Sequence, residues 1–146
     1  MSSLTLTFVA PQWNTLSFTS TLFLKPILDL LLRDVPPCCQ DELRLGLQEA
    51  LVNASHHGNE LNPDKVVLVR YSMVEHQCWW VITDQGMGFS PPRYICSAVD
   101  DLLPEAEAES GRGLFLIYEI FDEVYWNGPG TELSLCKDLE RYLQGL

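Results

Sequence analysis

The stretch Glu49-Ala-Leu-Val-Asn53-Ala-Ser-His-His57-Gly58-Asn59 places a carboxylate and an amide four residues apart. A helix stacks residues i and i+4 on one face, and the pattern around the pair is helical. Leu43, Leu47, Ala50, Leu51 and Ala54 recur at the spacing of a buried stripe from about Cys39 to His57, with Gly58-Asn59 as the expected C-cap. The pair therefore offers a proton acceptor and a neutral amide oxygen to one small volume. A carboxylate there can take a proton from a hydroxyl or a water. An amide oxygen is a hard ligand suited to Mg²⁺, which keeps waters and shares its site with substrate phosphates. Taken alone, Glu and Asn at this spacing are ordinary on an exposed helix face.

Upstream, Pro36-Pro37 ends any preceding helix, because the residue before a proline is pushed out of α conformation. From about Thr15 to Val35 the chain reads as a helix that Pro26 kinks or restarts. Leu4-Thr-Leu6-Thr-Phe8 alternates with period two, as a half-buried strand does. Downstream, Asn62-Pro-Asp64 is a turn, and Val66 to Tyr71 and Cys78 to Thr83 read as strands joined by Glu75-His76-Gln77. Ser90 to Ser110 holds three prolines and five carboxylates. A loop of about 20 residues in a compact domain needs a reason, such as a mobile lid. Leu114, Ile117, Tyr118 and Phe121 restore helical spacing. Val124 to Trp126 and Thr131 to Leu135 then flank Asn127-Gly-Pro-Gly130 as a hairpin. Asp138 to Leu143 is a short closing helix. This order predicts a single domain over residues 1–146 of α/β (α+β) class, a two-layer sandwich with helices on one face of a mixed β-sheet. The first strand and the last helix read as a whole domain rather than a fragment of a larger sensor.

The 146 residues are 47% hydrophobic, enough for a core without staples. Nine basic against twenty acidic residues give a formal charge of −11. That argues against a nucleic-acid backbone as direct main partner and against an anionic membrane surface. A basic protein partner suits the acid excess, although acidity also serves solubility. Leu22 to Leu32 is interrupted by Lys25, Pro26 and Asp29 and is too short to span a bilayer. No basic region precedes an apolar one at the N-terminus, so no secretion signal is read there. Cys38, Cys39, Cys78, Cys96 and Cys136 lack metal-ligand spacing, and reduced thiols in a cytoplasmic protein are the expectation.

Two glycine-marked segments bear on the opening pair. Asp84-Gln-Gly86-Met-Gly88-Phe89 follows an apolar strand. Its glycines permit close backbone approach to a ligand, and an Asp at a strand end can accept from an exocyclic amine such as that of adenine. Judged alone, Asp-x-Gly-x-Gly is turn punctuation more often than a site. Glu109-Ser-Gly111-Arg112-Gly113-Leu114 leads into the next helix; free N–H groups at such an entry bind anions, and Arg112 could add a contact to phosphate. It reads equally as a glycine hinge. Gly130-Thr131 brings a hydroxyl near the same sheet end, or is simply a hairpin residue. His56 and His57 are adjacent and diverge on a helix, so they are not a zinc pair. Trp79 and Trp80 point to opposite faces of their strand, one into the core.

In this order and at these separations the segments resemble the nucleotide-binding boxes of the GHKL superfamily, the histidine kinase-like ATPases with a Bergerat-type ATP-binding fold. The likeness is closest to the bacterial anti-sigma factor serine/threonine kinases. Glu49 to Asn59 resembles the N box, Asp84 to Phe89 the G1 box, Gly111-Arg-Gly113-Leu-Phe-Leu the G2 box, and Gly130-Thr131 the closing Gly-Thr. The likeness spans most of the chain, to about Lys137, and Phe121-Asp-Glu-Val124 also fits the small kinases. It implies ATP and Mg²⁺ as cofactors. Asn53 would hold the metal between the phosphates, and Glu49 would be the catalytic base acting on a serine of a partner. His57 falls within the N box on the nucleotide side. Asp84 would read the adenine amine, with Gly86 and Gly88 beside the ring and Thr131 near the base. Gly111, Arg112 and Gly113 would border the phosphates.

The implied partners are an anti-sigma factor antagonist, which is both substrate and competitor, and a sigma factor. A homodimer is left open. The alternative is a non-catalytic ATP-binding adaptor, in which the nucleotide only shapes a surface. Retention of Glu49 favours the enzyme, since binding alone does not need a base. The chain has no room for the phospho-accepting histidine helix of sensor kinases.

Overall fold

Alternation in Val66-Val-Leu-Val-Arg-Tyr-Ser-Met-Val74 and Gln77-Cys-Trp-Trp-Val-Ile-Thr83 sets the centre of the sheet. A computed structural model describes residues 12–90 and 105–144. The elements run β1 (Asn14–Thr19), α1 (Lys25–Leu31), α2 (Pro37–Val52), a π-helical turn (Asn53–Gly58), β2 (Val66–Val74), β3 (Gln77–Thr83), α3 (Glu105–Ile120), β4 (Glu123–Trp126), β5 (Glu132–Asp138) and α4 (Glu140–Gln144). The sheet is five-stranded in the order β1-β2-β3-β5-β4.

Every strand pairing in that sheet is antiparallel. The α+β class and the helix-covered sheet hold, while the expected mixed sheet is antiparallel among the described residues. The physical reason is local: β2 and β3 turn back through Glu75 and His76, both at positive φ. The β4–β5 pair closes as the predicted hairpin.

One face of the sheet is covered. Val67 and Val69 of β2, Trp80 and Ile82 of β3, and Leu133 and Leu135 of β5 are buried there with Leu43, Leu47 and Leu51 of α2 and Leu114 and Ile117 of α3. A side chain such as Leu47, fully buried, contributes about 1.5–3 kcal/mol by leaving water. Gly46 lets α3 approach α2: a methyl there would sit 2.7 Å from Cε2 of Phe121. Phe121 packs edge-on against Trp80, with centroids 5.9 Å apart. The Lys137 ammonium, buried from β5, donates to the carbonyl of Ile120 at 2.6 Å and so caps the end of α3. Trp79 lies on the other face, as expected, where it lines a groove of about 690 Å³ with Trp13, Ser72, Val81 and Ser134.

The helix expected over 15–35 is corrected. Thr15-Leu-Ser-Phe-Thr19 alternates and pairs along β2 from Asn14↔Tyr71 to Thr19↔Val66. The helix is confined to Lys25–Leu31. Pro26 does not kink it but opens it, since its missing N–H falls among the unpaired donors of the first turn. Pro37 likewise opens α2. The strand expected at Leu4–Phe8 lies outside the described residues, as does most of the 90–110 lid. The last part of that lid is helix, because α3 begins at Glu105.

Candidate functional site

The last turn of α2 sets the first part of the site. The Asn53 N–H donates to the carbonyl of Glu49, so the i, i+4 relation inferred from the sequence is realised, and both residues are half-buried. Beyond Asn53 the helix widens: the Asn59 N–H reaches back five residues to the Ala54 carbonyl at 2.9 Å, the bond that defines a π turn. His57 lies on this turn. Partial burial, then the neighbouring His56, holds its imidazole below the ordinary histidine range. The two rings stand edge-on at 4.7 Å.

Gly58 joins the turn to the loop after β3. A methyl on Gly58 would sit 2.5 Å from Cγ and Oδ2 of Asp84, and one on Gly86 would collide with the Gly58 carbonyl. Of the Gly58-Asn59 pair expected as the C-cap, Asn59 caps the turn, while Gly58 is not at positive φ; Glu60 and Leu61 are. The lack of a side chain at Gly58 makes room for the carboxylate. The Gly86 N–H donates to Asp84 Oδ1 at 2.8 Å, and the Asp84 N–H donates to the Thr131 carbonyl at 2.9 Å. Thr131 thus sits beside Asp84 through the backbone.

The opposite side of the loop closes on the hairpin. Gly88 and Gly130, both at positive φ, stack against the backbone of Pro129 and Phe89. Asn127 organises this end and was missed in the sequence. Its Oδ1 accepts from the N–H groups of Gly130, Thr131 and Glu132 at 2.8–3.1 Å. The signal was available, since Asn before Gly-Pro-Gly is a residue that holds turns by its side chain.

The expectation at Gly111 to Gly113 is partly corrected. Gly111, Arg112 and Gly113 do not form a helix entry; they lie inside α3, which starts six residues before Gly111. Alternating Ala and Glu at 105–109 are strong helix formers and extend the helix upstream. N–H groups within a helix ladder bond to the preceding turn, so no N-terminal anion site is formed at Gly111. Gly113 instead lies against the Glu49 carboxylate: a methyl there would sit 2.7 Å from Glu49 Oε2. Arg112 is exposed beside it.

Glu49, Asn53, Gly58, Asp84, Gly86, Gly113 and Thr131 therefore belong to one connected region, joined through the last turn of α2, the π turn and the loop after β3. The groove at Trp79 is elsewhere, and none of these residues lines it. Among the described residues no three His, Cys, Asp or Glu side chains cluster as a standing metal site. That donor set fits Mg²⁺ entering with a triphosphate, since Mg²⁺ needs only one or two protein oxygens beside phosphates.

Burial holds the Asp84 carboxyl above its ordinary value of 3.8, opposed by the Gly86 N–H and the Lys65 charge. The stability linked to this carboxyl is fully present below that ordinary value and is lost as pH rises through the raised folded-state value. Asp84→Asn stays neutral throughout. We expect its nucleotide-free melting temperature to equal or exceed that of the parent near pH 7, with the gain vanishing near pH 3. A calorimetric scan that finds the variant several degrees less stable near pH 7 would show that Asp84 is not desolvated at a net penalty.

Comparison with known proteins agrees with the geometry. Residues 30–137 match the histidine kinase-like ATPase domain. The anti-sigma F factor of Bacillus velezensis is 28% identical over 103 residues, covering 68% of this chain and 70% of the relative. That of Bacillus subtilis is 27% identical over the same length and shares. The anti-sigma F factor of Halalkalibacterium halodurans is 32% identical over 83 residues, 57% of this chain and 56% of the relative. ATP is the nucleotide that this family implies. The boxes around Glu49, Asp84 and Gly113 all fall within the matched span, and the chain belongs to the histidine kinase-like ATPase domain family, with anti-sigma factors among its relatives.

Proposed function

We propose that this chain is a cytoplasmic anti-sigma factor serine/threonine kinase. It binds ATP with Mg²⁺, phosphorylates an anti-sigma factor antagonist on serine, and inhibits a sigma factor by binding it. The observation that carries the transfer step is Glu49, held on the last turn of α2 in the same region as Asp84. Nucleotide binding alone has no use for a base at that position. In the proposal Asp84 would accept from the adenine amine, and the Asn53 amide oxygen would help hold Mg²⁺, which would supply charge neutralisation. Glu49 would take the proton from the attacking serine hydroxyl as that oxygen bonds the γ-phosphorus, the bridging β–γ P–O bond breaks and ADP leaves. Positioning and charge neutralisation dominate such a reaction. A charge of −11 suits a basic patch on the sigma factor. No described helix is long and apolar enough to cross a membrane.

The contact of Gly113 with Glu49 Oε2 supports a second reading. While α3 keeps this position the carboxylate is walled on one side, as in an adaptor that binds ATP without transferring phosphate. Incubation with labelled ATP, Mg²⁺ and antagonist proteins from the same genome separates the two. Phosphoserine on an antagonist supports the kinase. Bound ATP without transfer supports the adaptor, and no bound nucleotide removes both.

Asn53→Ala is expected to abolish the Mg²⁺-dependent part of ATP binding, lowering affinity by about 10–100-fold, the range seen when a metal's environment is disturbed. The check is calorimetric titration with and without Mg²⁺. Unchanged affinity and unchanged metal dependence would remove Asn53 as the ligand.

A further inference from the structure

We infer that Asn59 is a positioning residue for base recognition, setting the peptide plane from which Asp84 reads the nucleotide; this rests on the nucleotide reading of the site. Asn59 is completely buried. Its Nδ2 donates to Ser20 Oγ and to the Val66 carbonyl, both at 2.9 Å. Its Oδ1 accepts from the Gln85 N–H at 2.7 Å. The backbone is engaged too: its N–H reaches Ala54, and its carbonyl accepts from the Asn62 N–H at 3.0 Å. One side chain thus ties the end of β1, the start of β2, the π turn and the loop after β3.

Such an amide is tolerated in a core only when its partners are all in place, because each unpaired buried polar group is penalised. The arrangement is closed on itself: the Gln85 side-chain carbonyl accepts from the Val66 N–H at 2.9 Å, while Val66 supplies the acceptor for Asn59. Gln85 therefore cannot turn without breaking two bonds at once.

The functional consequence follows from sequence adjacency. Gln85 stands between Asp84 and Gly86. Asn59 holds the N–H of residue 85, and Asp84 Oδ1 takes the N–H of residue 86 at 2.8 Å. With the 84–85 peptide plane fixed by Asn59 and the Gly58 surface against the carboxylate, little rotamer freedom is left to Asp84. Asn59 also lies on the continuous segment that carries Glu49 and Asn53. The reacting end and the base-reading end are thereby held at a set separation.

The test compares Asn59→Leu, which removes all three side-chain bonds at similar volume, with Asn59→Asp, which keeps an oxygen for the Gln85 N–H. Leu135→Ala, a core change on β5 opposite Trp80 and away from the loop, serves as a stability control. Asn59→Leu is expected to weaken ATP binding about tenfold and to bring the ATP:GTP preference towards unity. It should raise KM for ATP far more than it lowers kcat. In nucleotide-free protein, hydrogen exchange at the Gln85 amide should quicken about tenfold or more. Asn59→Asp should keep the nucleotide preference even where its melting temperature falls, and Leu135→Ala should keep it as well. If Asn59→Leu does not fold, Asn59→Ser, too short to reach Gln85, takes its place.

The inference is overturned if preference survives in the variant lacking the oxygen, or is lost equally in Leu135→Ala. It is also overturned if Asn59→Asp loses preference as fully as Asn59→Leu. Should the parent protein bind no nucleotide, the reading of the site fails, while unchanged Gln85 exchange in the variant would separately refute the brace.

Discussion

Glu49→Gln is expected to lower phosphoryl transfer to the antagonist by roughly 10²–10⁴-fold while leaving ATP affinity within about twofold. Glutamine matches the side chain in shape and removes only its capacity to take a proton. The contact with Gly113, whose added methyl would meet Oε2 at 2.7 Å, is a matter of volume and survives the change. So does the backbone bond from Asn53 to Glu49, which involves no side chain. Taking a negative charge away from the triphosphate region cannot weaken nucleotide binding electrostatically. Transfer and binding should therefore separate, read by single-turnover phosphorylation and by titration with ATP. Equal loss of both would make Glu49 a structural support and sink its assignment as base.

The two halves of this region differ in how plainly the sequence declares them. The stripe of Leu43, Leu47, Ala50, Leu51 and Ala54 is periodic because one face of α2 meets the sheet, so the helix carrying Glu49 and Asn53 was legible. Leu16 and Phe18 carried an equally regular signal of period two. The dense apolar run from Leu22 to Leu32 masked it, and only pairing with β2 shows Asn14–Thr19 to be a strand. The π turn was not legible, since an extra residue in a turn leaves the apolar spacing almost unchanged. The start of α3 was obscured by the opposite fault: Glu105 to Glu109 favour helix by propensity but present no apolar stripe. The glycines were visible as residues, and their reasons were not. Gly58 looked like a cap, and only the fold reveals the carboxylate of Asp84 against it.

That contact gives the second large effect. Gly58→Ala is expected to destabilise the protein by about 1–3 kcal/mol, as overpacking of a tight site does, and to weaken ATP binding by about 10–100-fold, the value of a hydrogen bond to a charged group. The added methyl would lie 2.5 Å from the Asp84 carboxyl group. Asp84 is short and can yield only by rotating, which breaks its bond with the Gly86 N–H. Gly86→Ala should be the more damaging, because its methyl meets the Gly58 carbonyl and no side chain can move aside. Gly128→Ala has nothing within 4 Å and should change neither property. The double variant Gly58→Ala/Asp84→Ala discriminates the cause. If the clash with the carboxylate is responsible, stability returns towards the parent while ATP binding stays weak, and the two effects are strongly non-additive. Additive losses in melting temperature would mean that Gly58 is required by the backbone of the π turn itself, and that Asp84 is only its neighbour.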